Sequence, residues 1–169
     1  MSTLLHRRPV IAGLLMALII FLVDQWTKFE IVYNIMVRPH VIEVTSFFNI
    51  VMAWNQGVSF GMFGWDSYTK VYVLSGLAFI AAIGLAIWMQ RENRLAFALP
   101  CGAIIGGAIG NGVDRLHWGA VADFLDFHYA GHHWPAFNVA DMGITCGATL
   151  LILDSLFRKP DSSKNEDSD

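Results

Sequence analysis

Four stretches of this chain run for about twenty residues with almost no charge, and that length is the feature that most restricts its fold. They extend from about Val10 to Ile31, from Val71 to Met89, from Leu95 to about Val113, and from Phe137 to Leu156. A hydrocarbon layer of roughly 30 Å is crossed by about 20 helical residues, since each residue rises about 1.5 Å. Lipid offers the backbone no hydrogen-bond partners, so each stretch must satisfy its own as a helix. Composition agrees: 55% of the 169 residues are hydrophobic, only 15% are charged, and the mean hydropathy is +0.49. Too few polar side chains remain to cover a water-soluble surface. The expected fold class is an all-α membrane protein with four transmembrane helices.

Basic residues give the orientation. Arg7 and Arg8 precede the first span, Arg91 and Arg94 lie in the tight turn between the second and third, and Arg158 and Lys159 follow the fourth. The positive-inside rule puts all three places, and so both termini, in the cytoplasm. Trp26, Trp54, Trp65, Tyr68, Trp118 and Trp134 collect at the opposite ends, as an interfacial belt does. The HRR before the first span imitates a secretory signal, but no small-residue cleavage site follows it, and a retained anchor is expected. Residues 1–158 read as one membrane domain and 159–169 as a disordered cytoplasmic tail. Much of the acidity behind the net charge of −3 sits in that tail, so no nucleic-acid partner is suggested. Cys101 and Cys146 lie in apolar runs without CxxC spacing and read as small buried hydrophobes rather than a disulfide or metal ligands.

Two segments are left outside. HVIEVTSFFNIVMAWNQG, within an insertion covering about residues 32–67, alternates and is rich in β-branched and aromatic residues. A small extracytoplasmic β-sheet cradle between helices one and two is expected there. The segment from His117 to Pro135 is less regular and carries Asp123, Asp126 and the histidines His128, His132 and His133.

The polar residues of the spans fall at one depth. Asp24 is near the outer end of the first span; Asn111, Asp114 and Arg115 end the third; Asn138 and Asp141 open the fourth; Asp123 lies between the last two. Helix-end carboxylates can be purely structural: Asp141 suits a helix N-terminus, and Asp24 can pair with Lys28 four residues on. As a set they point to a site, because ionisable groups inside a membrane are costly and mark functional positions. The sequence offers no GxSxG turn, no HExxH and no base beside either cysteine. What remains is carboxylate chemistry. Two close aspartates share a proton, so one can take a proton from water while the other donates to a carbonyl oxygen. Asp123 and Asp141 are the expected pair, with Arg115 and the asparagines as positioning groups and with no metal or cofactor required. Two rivals stand beside this. His128 and His132, with His133 and Asp126, could hold a metal at the surface of a metal-dependent hydrolase, although a polar headgroup loop explains them better. A small four-span transporter could use Asp24 and Asp141, but nothing charged lies at mid-depth and no internal repeat is visible. No role is assigned to His117 or Thr145.

Five motifs in order resemble those of lipoprotein signal peptidase (signal peptidase II), the bacterial membrane aspartic endopeptidase family. They are DQWTK at Asp24–Lys28, NQGVSFG at Asn55–Gly61, GNGVDR at Gly110–Arg115, VADF at Val121–Phe124 and FNVAD at Phe137–Asp141. The resemblance implies that Asp123 and Asp141 are catalytic, that Asn55, Asn111, Arg115 and Asn138 bind substrate or brace the dyad, and that Asp24 and Asp114 support the site. It further implies diacylglyceryl-modified prolipoproteins as substrates, cleaved just before the lipid-bearing cysteine, and inhibition by globomycin. A monomer in the bacterial cytoplasmic membrane is expected, in contact with its lipids, with the active site near the outer face. Trp54 and Phe60 of the outer sheet are expected to cover the bound peptide.

Overall fold

The computed structural model describes residues 2–38, 40–57 and 67–158. Phe60, Trp65, the end of the NQGVSFG motif and the tail 159–169, on which expectations were placed, lie outside the described residues. Four helices form: α1 (Ser2–Phe29), α2 (Ser67–Met89), α3 (Leu95–Trp118) and α4 (Val139–Phe157). All four are long and apolar enough to cross a membrane. The third continues past Val113 to Trp118, stopping where Gly119 takes a left-handed conformation (φ 75°) and its N–H bonds the Arg115 carbonyl at 2.9 Å.

Small residues put α3 at the centre. It packs against α1, α2 and α4, and 67% of its apolar window is buried, against 17% or less in the other spans. A Cβ on Gly102 or Gly106 would run into the backbone carbonyls of Gly13 and Ala17 of α1. One on Gly107 would meet the carbonyl of Ala140 of α4. Glycine at these places lets backbones approach, the device by which helices associate in lipid, where apolar burial drives little. The Ser75 hydroxyl of α2 donates to the Gly112 carbonyl at 3.2 Å, a further tie to the central helix. At the end of the bundle away from the sheet, Arg94 pairs with Asp154 and so joins the α2–α3 turn to α4.

Cys101 lies in the core among Ala17, Met89, Phe97 and Ile105, as expected. Cys146 does not: it is exposed on α4. In a membrane an apolar run cannot separate inside from outside, because lipid is as apolar as the core. Leu14, Ile80, Ile83, Leu150 and Ile152 make the same point, being half to two-thirds exposed on the faces of their helices turned away from the bundle.

The outer part is a four-stranded antiparallel sheet in the order β1 (Ile42–Thr45), β2 (Phe48–Asn55), β3 (Val121–Tyr129), β4 (His132–His133). The first two strands, paired antiparallel, are the expected small sheet between the first and second spans. The other two come from the segment that reads as irregular in the sequence, so one sheet joins the α1–α2 and α3–α4 connections. Past Phe29 the chain widens into a π-helical turn, Glu30–Ile35, closed by the Met36 N–H on the Ile31 carbonyl at 2.7 Å. That turn carries Ile31 and Met36 under the sheet against Phe124, which fastens the sheet to the bundle.

Candidate active site

Strands β2 and β3 and helices α3 and α4 deliver the polar groups to one place. On β3 the partner of Asp123 is Ala53 of β2, after a bulge between Ile50 and Ala53 that adds one residue to β2. This register sets Asn55 beside Asp123, and its Nδ2 donates to Asp123 Oδ2 at 3.0 Å. The Asn55 amide is aimed: its own oxygen accepts the Gly57 N–H at 2.8 Å, where Gly57 has φ 94°. Phe137 pairs with Leu125 through mutual backbone bonds of 2.8 and 3.1 Å, which brings the start of α4 alongside β3.

Asn138 then works in both directions. Its Nδ2 donates to Asp123 Oδ1 at 2.6 Å, while its Oδ1 accepts the Asp141 N–H at 2.9 Å. Asp141 Oδ2 returns to the Asn138 N–H at 3.3 Å, completing a capping box on α4. Asn138 is fully buried, Asp123 is nearly so, and Asp141 is half-buried. From α3, Asn111 Nδ2 donates to Asp141 Oδ1 at 2.8 Å. Two aspartates are thus held through one asparagine, each receiving directed N–H donors. Burial pushes the Asp123 carboxyl up to about 6; the Asn55 hydrogen bond works against this and the charge of Asp141 adds to it.

Beneath the pair lies a fully buried ionic cluster. Lys28 Nζ meets Asp24 Oδ2 at 2.8 Å, Asp114 Oδ2 at 2.6 Å and Asn111 Oδ1 at 3.0 Å. Asp24 also accepts the Ala140 N–H at 2.8 Å, and Gln25 Nε2 donates to Asp114 Oδ1 at 2.9 Å. The structure therefore brings together Asp24, Asn55, Asn111, Asp114, Asp123, Asn138 and Asp141. Arg115 lies near them and bonds the Asn111 carbonyl at 3.2 Å, without an ion pair to any described carboxylate. Lys28 and Gln25 went unrecognised as site residues. The i to i+4 spacing of Asp24 and Lys28 shows a pair, but nothing along the chain shows that Asp114 and Asn111 complete it.

Asp126 stands three residues from Asp123 on β3 and so points to the other face of the sheet. Burial raises its carboxyl, but His133 Nδ1 at 2.9 Å and Asn49 Nδ2 at 3.1 Å hold it below the usual carboxylate range. The His128 ring stacks on His133 at 5.0 Å. Among the described residues no group of three or more His, Cys, Asp or Glu is placed to hold a metal ion. His117 packs edge-on against Trp118, and Thr145 is exposed on α4. Trp118 divides two open grooves. One, of about 450 Å³, runs between Trp54, Gln56, Tyr68 and Val71; the other, of about 470 Å³, runs between Phe29, Tyr33 and Val113.

A chain with this sequence and fold has known relatives. The family model described as signal peptidase (SPase) II matches residues 16–157. The chain belongs to the signal peptidase II family. It is 43% identical over 157 residues to a lipoprotein signal peptidase of Rhodopseudomonas palustris, covering 90% of this chain and 96% of that protein. It is 39% identical over 163 residues to one of Methylobacterium radiotolerans, covering 95% and 93%. Two solved bacterial membrane enzymes share the fold, with TM-scores of 0.74 and 0.76 at 28% and 29% identity. They cover 90% and 87% of this chain, and 94% of each solved chain is matched. This signal peptidase II family member is a multi-pass membrane peptidase of the aspartic type, and the transporter and metal-hydrolase readings are not favoured.

Proposed function

We propose that the chain removes signal peptides from diacylglyceryl-modified prolipoproteins by cutting the bond before the lipid-bearing cysteine, with Asp123 and Asp141 as its catalytic dyad. The observation that carries this is the double use of Asn138, whose amide nitrogen holds Asp123 at 2.6 Å while its oxygen accepts the Asp141 N–H at 2.9 Å. One carboxylate takes a proton from water as the water oxygen attacks the scissile carbonyl. The protonated partner donates to the carbonyl oxygen, giving a neutral tetrahedral diol. Collapse of the diol breaks the C–N bond, and the amine leaves with a proton from the dyad. Asn55, Asn111 and Arg115 position substrate and dyad, while Asp24 and Asp114 support them from below.

A lipid-modified substrate keeps its acyl chains in the bilayer while the peptide bond meets water. A site where helix ends meet a sheet suits both demands, and a groove lined by Trp54, Gln56 and Tyr68 opens at the same sheet. The arginines Arg8, Arg91, Arg94 and Arg158 support cytoplasmic termini and a site at the outer face of the bacterial inner membrane. The chain then works as a monomer among membrane lipids, with residues 1–158 as the peptidase domain and 159–169 as a cytoplasmic tail.

The test is cleavage of a diacylglyceryl-modified prolipoprotein by purified wild type, Asp123→Asn and Asp141→Asn in detergent, each checked for helical content. Both substitutions should lower turnover by about a thousand-fold or more, with chelator harmless to wild type. Near-normal cleavage by either folded variant would remove the dyad.

A further inference from the structure

The dyad is symmetric in residue type, yet its surroundings are not, and the asymmetry begins at a lysine that the reaction does not touch. Lys28 is fully buried and its ammonium has three N–H donors. The structure gives it three acceptors from two helices: Asp24 Oδ2, Asp114 Oδ2 and Asn111 Oδ1. The third is the informative one. A carboxamide can sit either way round, and only its hydrogen bonds decide which end is oxygen. With Lys28 Nζ at 3.0 Å and Asn138 Nδ2 at 3.3 Å, both donors, one end of Asn111 must be the oxygen. Reversing the amide would set its NH2 against an ammonium and a second NH2, inside a buried cluster. The other end, 2.8 Å from Asp141 Oδ1, is therefore locked as a donor.

We propose that Lys28 is a positioning residue for the dyad: its ammonium fixes the Asn111 carboxamide so that the NH2 faces Asp141, which makes Asp141 the ionised partner and leaves the shared proton on Asp123. The proposal rests on the dyad reading above. A donor locked onto Asp141 suits a negative charge there, but Asp123 also accepts two N–H donors, from Asn138 and Asn55, so hydrogen bonds alone do not separate the pair. Burial does: Asp123 is nearly fully buried and Asp141 half-buried, which disfavours charge on Asp123 and leaves the proton there. The charged groups around the dyad are Asp24 and Lys28 from α1 and Asp114 and Arg115 from α3; β2 offers the neutral Asn55. Asp141 thereby becomes the base that activates water and Asp123 the acid that protonates the carbonyl. Without Lys28 only the longer Asn138 contact holds the Asn111 oxygen, and the amide is free to present that oxygen to a protonated Asp141.

The experiment measures kcat, KM and their pH dependence for purified wild type and Lys28→Met, with helical content and melting checked. The expected result is a fall in kcat of about 100-fold with KM changed less than about three-fold, and a rise of about one unit in the acid limb of the kcat profile. An unshifted limb, or a loss confined to KM, overturns the proposal. If Lys28→Met leaves two uncompensated carboxylates and does not fold, Asp24→Asn/Lys28→Met/Asp114→Asn removes all three charges and is read in the same way. Independently, infrared spectra of wild type, Asp123→Asn and Asp141→Asn at about pH 5, below the Asp123 value of about 6, locate the proton. The protonated carboxyl band should vanish in Asp123→Asn and persist in Asp141→Asn; the reverse overturns the proposal whatever the lysine variants do. Normal cleavage by the two aspartate variants would instead sink the dyad reading itself.

Discussion

Replacing Gly110 by alanine asks whether the close approach of α1 and α3 holds the site in register. A Cβ at residue 110 would stand 2.5 Å from Asp24 Oδ2 and 3.6 Å from the Ala140 Cβ. The second contact is ordinary, so the carboxylate has to give. Carbon and oxygen come to rest near about 3.4 Å, which asks Asp24 to retreat by about 1 Å. Lys28 Nζ and the Ala140 N–H each hold it at 2.8 Å in a fully buried place. Lengthening either bond by that much takes it out of hydrogen-bond range. Overpacking costs about 1–3 kcal/mol, and breaking a buried ion pair outright about 3–5. Alanine returns up to about 1 kcal/mol as the better helix former. The expected net loss is about 2–4 kcal/mol. Since Ala140 directly precedes Asp141, the shift reaches the dyad, and cleavage should fall by about 100-fold. Melting in detergent and turnover of a lipidated prolipoprotein measure the two effects. Gly84→Ala on α2, where a Cβ meets nothing within 4 Å, is the control and should stay within about 1 kcal/mol of wild type. Wild-type melting and turnover for Gly110→Ala would refute the claim that this contact supports the site.

Three further outcomes are expected. Asn138→Ala removes the cap of α4 and leaves buried partners unbonded, so it should cost about 2–4 kcal/mol and most of the cleavage; retained activity would show that Asp123 and Asp141 are held by other means. Asp123 is raised from 3.8 to about 6, so the stability it contributes is fully present below 3.8 and lost as pH rises through about 6. Melting temperature should accordingly decline over that window in wild type and be flatter in Asp123→Asn; identical slopes would contradict the burial of a raised carboxyl. Asp126→Asn loses a pair with the half-exposed His133 and should cost less than about 1 kcal/mol with cleavage kept, whereas loss of cleavage would move Asp126 into the catalytic machinery.

How much of this was written in the chain differs from one element to the next. The four spans follow from uninterrupted apolar length, a local property that lipid enforces on each segment separately. The aspartates at one depth were visible for the same reason, since position along a span is depth in the membrane. That Asp123 lies on a strand was not visible. Val121–Tyr129 is recruited by pairing with β2, which sits more than sixty residues earlier, and its own pattern gave no strand signal. The fate of Cys146 was hidden because apolar periodicity cannot tell lipid from core.

The sequence by itself determined the membrane class, the shared depth of the polar residues and, through five short motifs, the family. Tertiary structure alone decided that Lys28 joins Asp24, Asp114 and Asn111, that the bulge in β2 delivers Asn55 to Asp123, and that Asn138 spans the two aspartates. The physical reason is that depth and hydrophobicity are summed along a segment. Hydrogen bonds are made between particular atoms on different segments, and their partners exist only once α3, with its glycine faces, has drawn α1 and α4 against it.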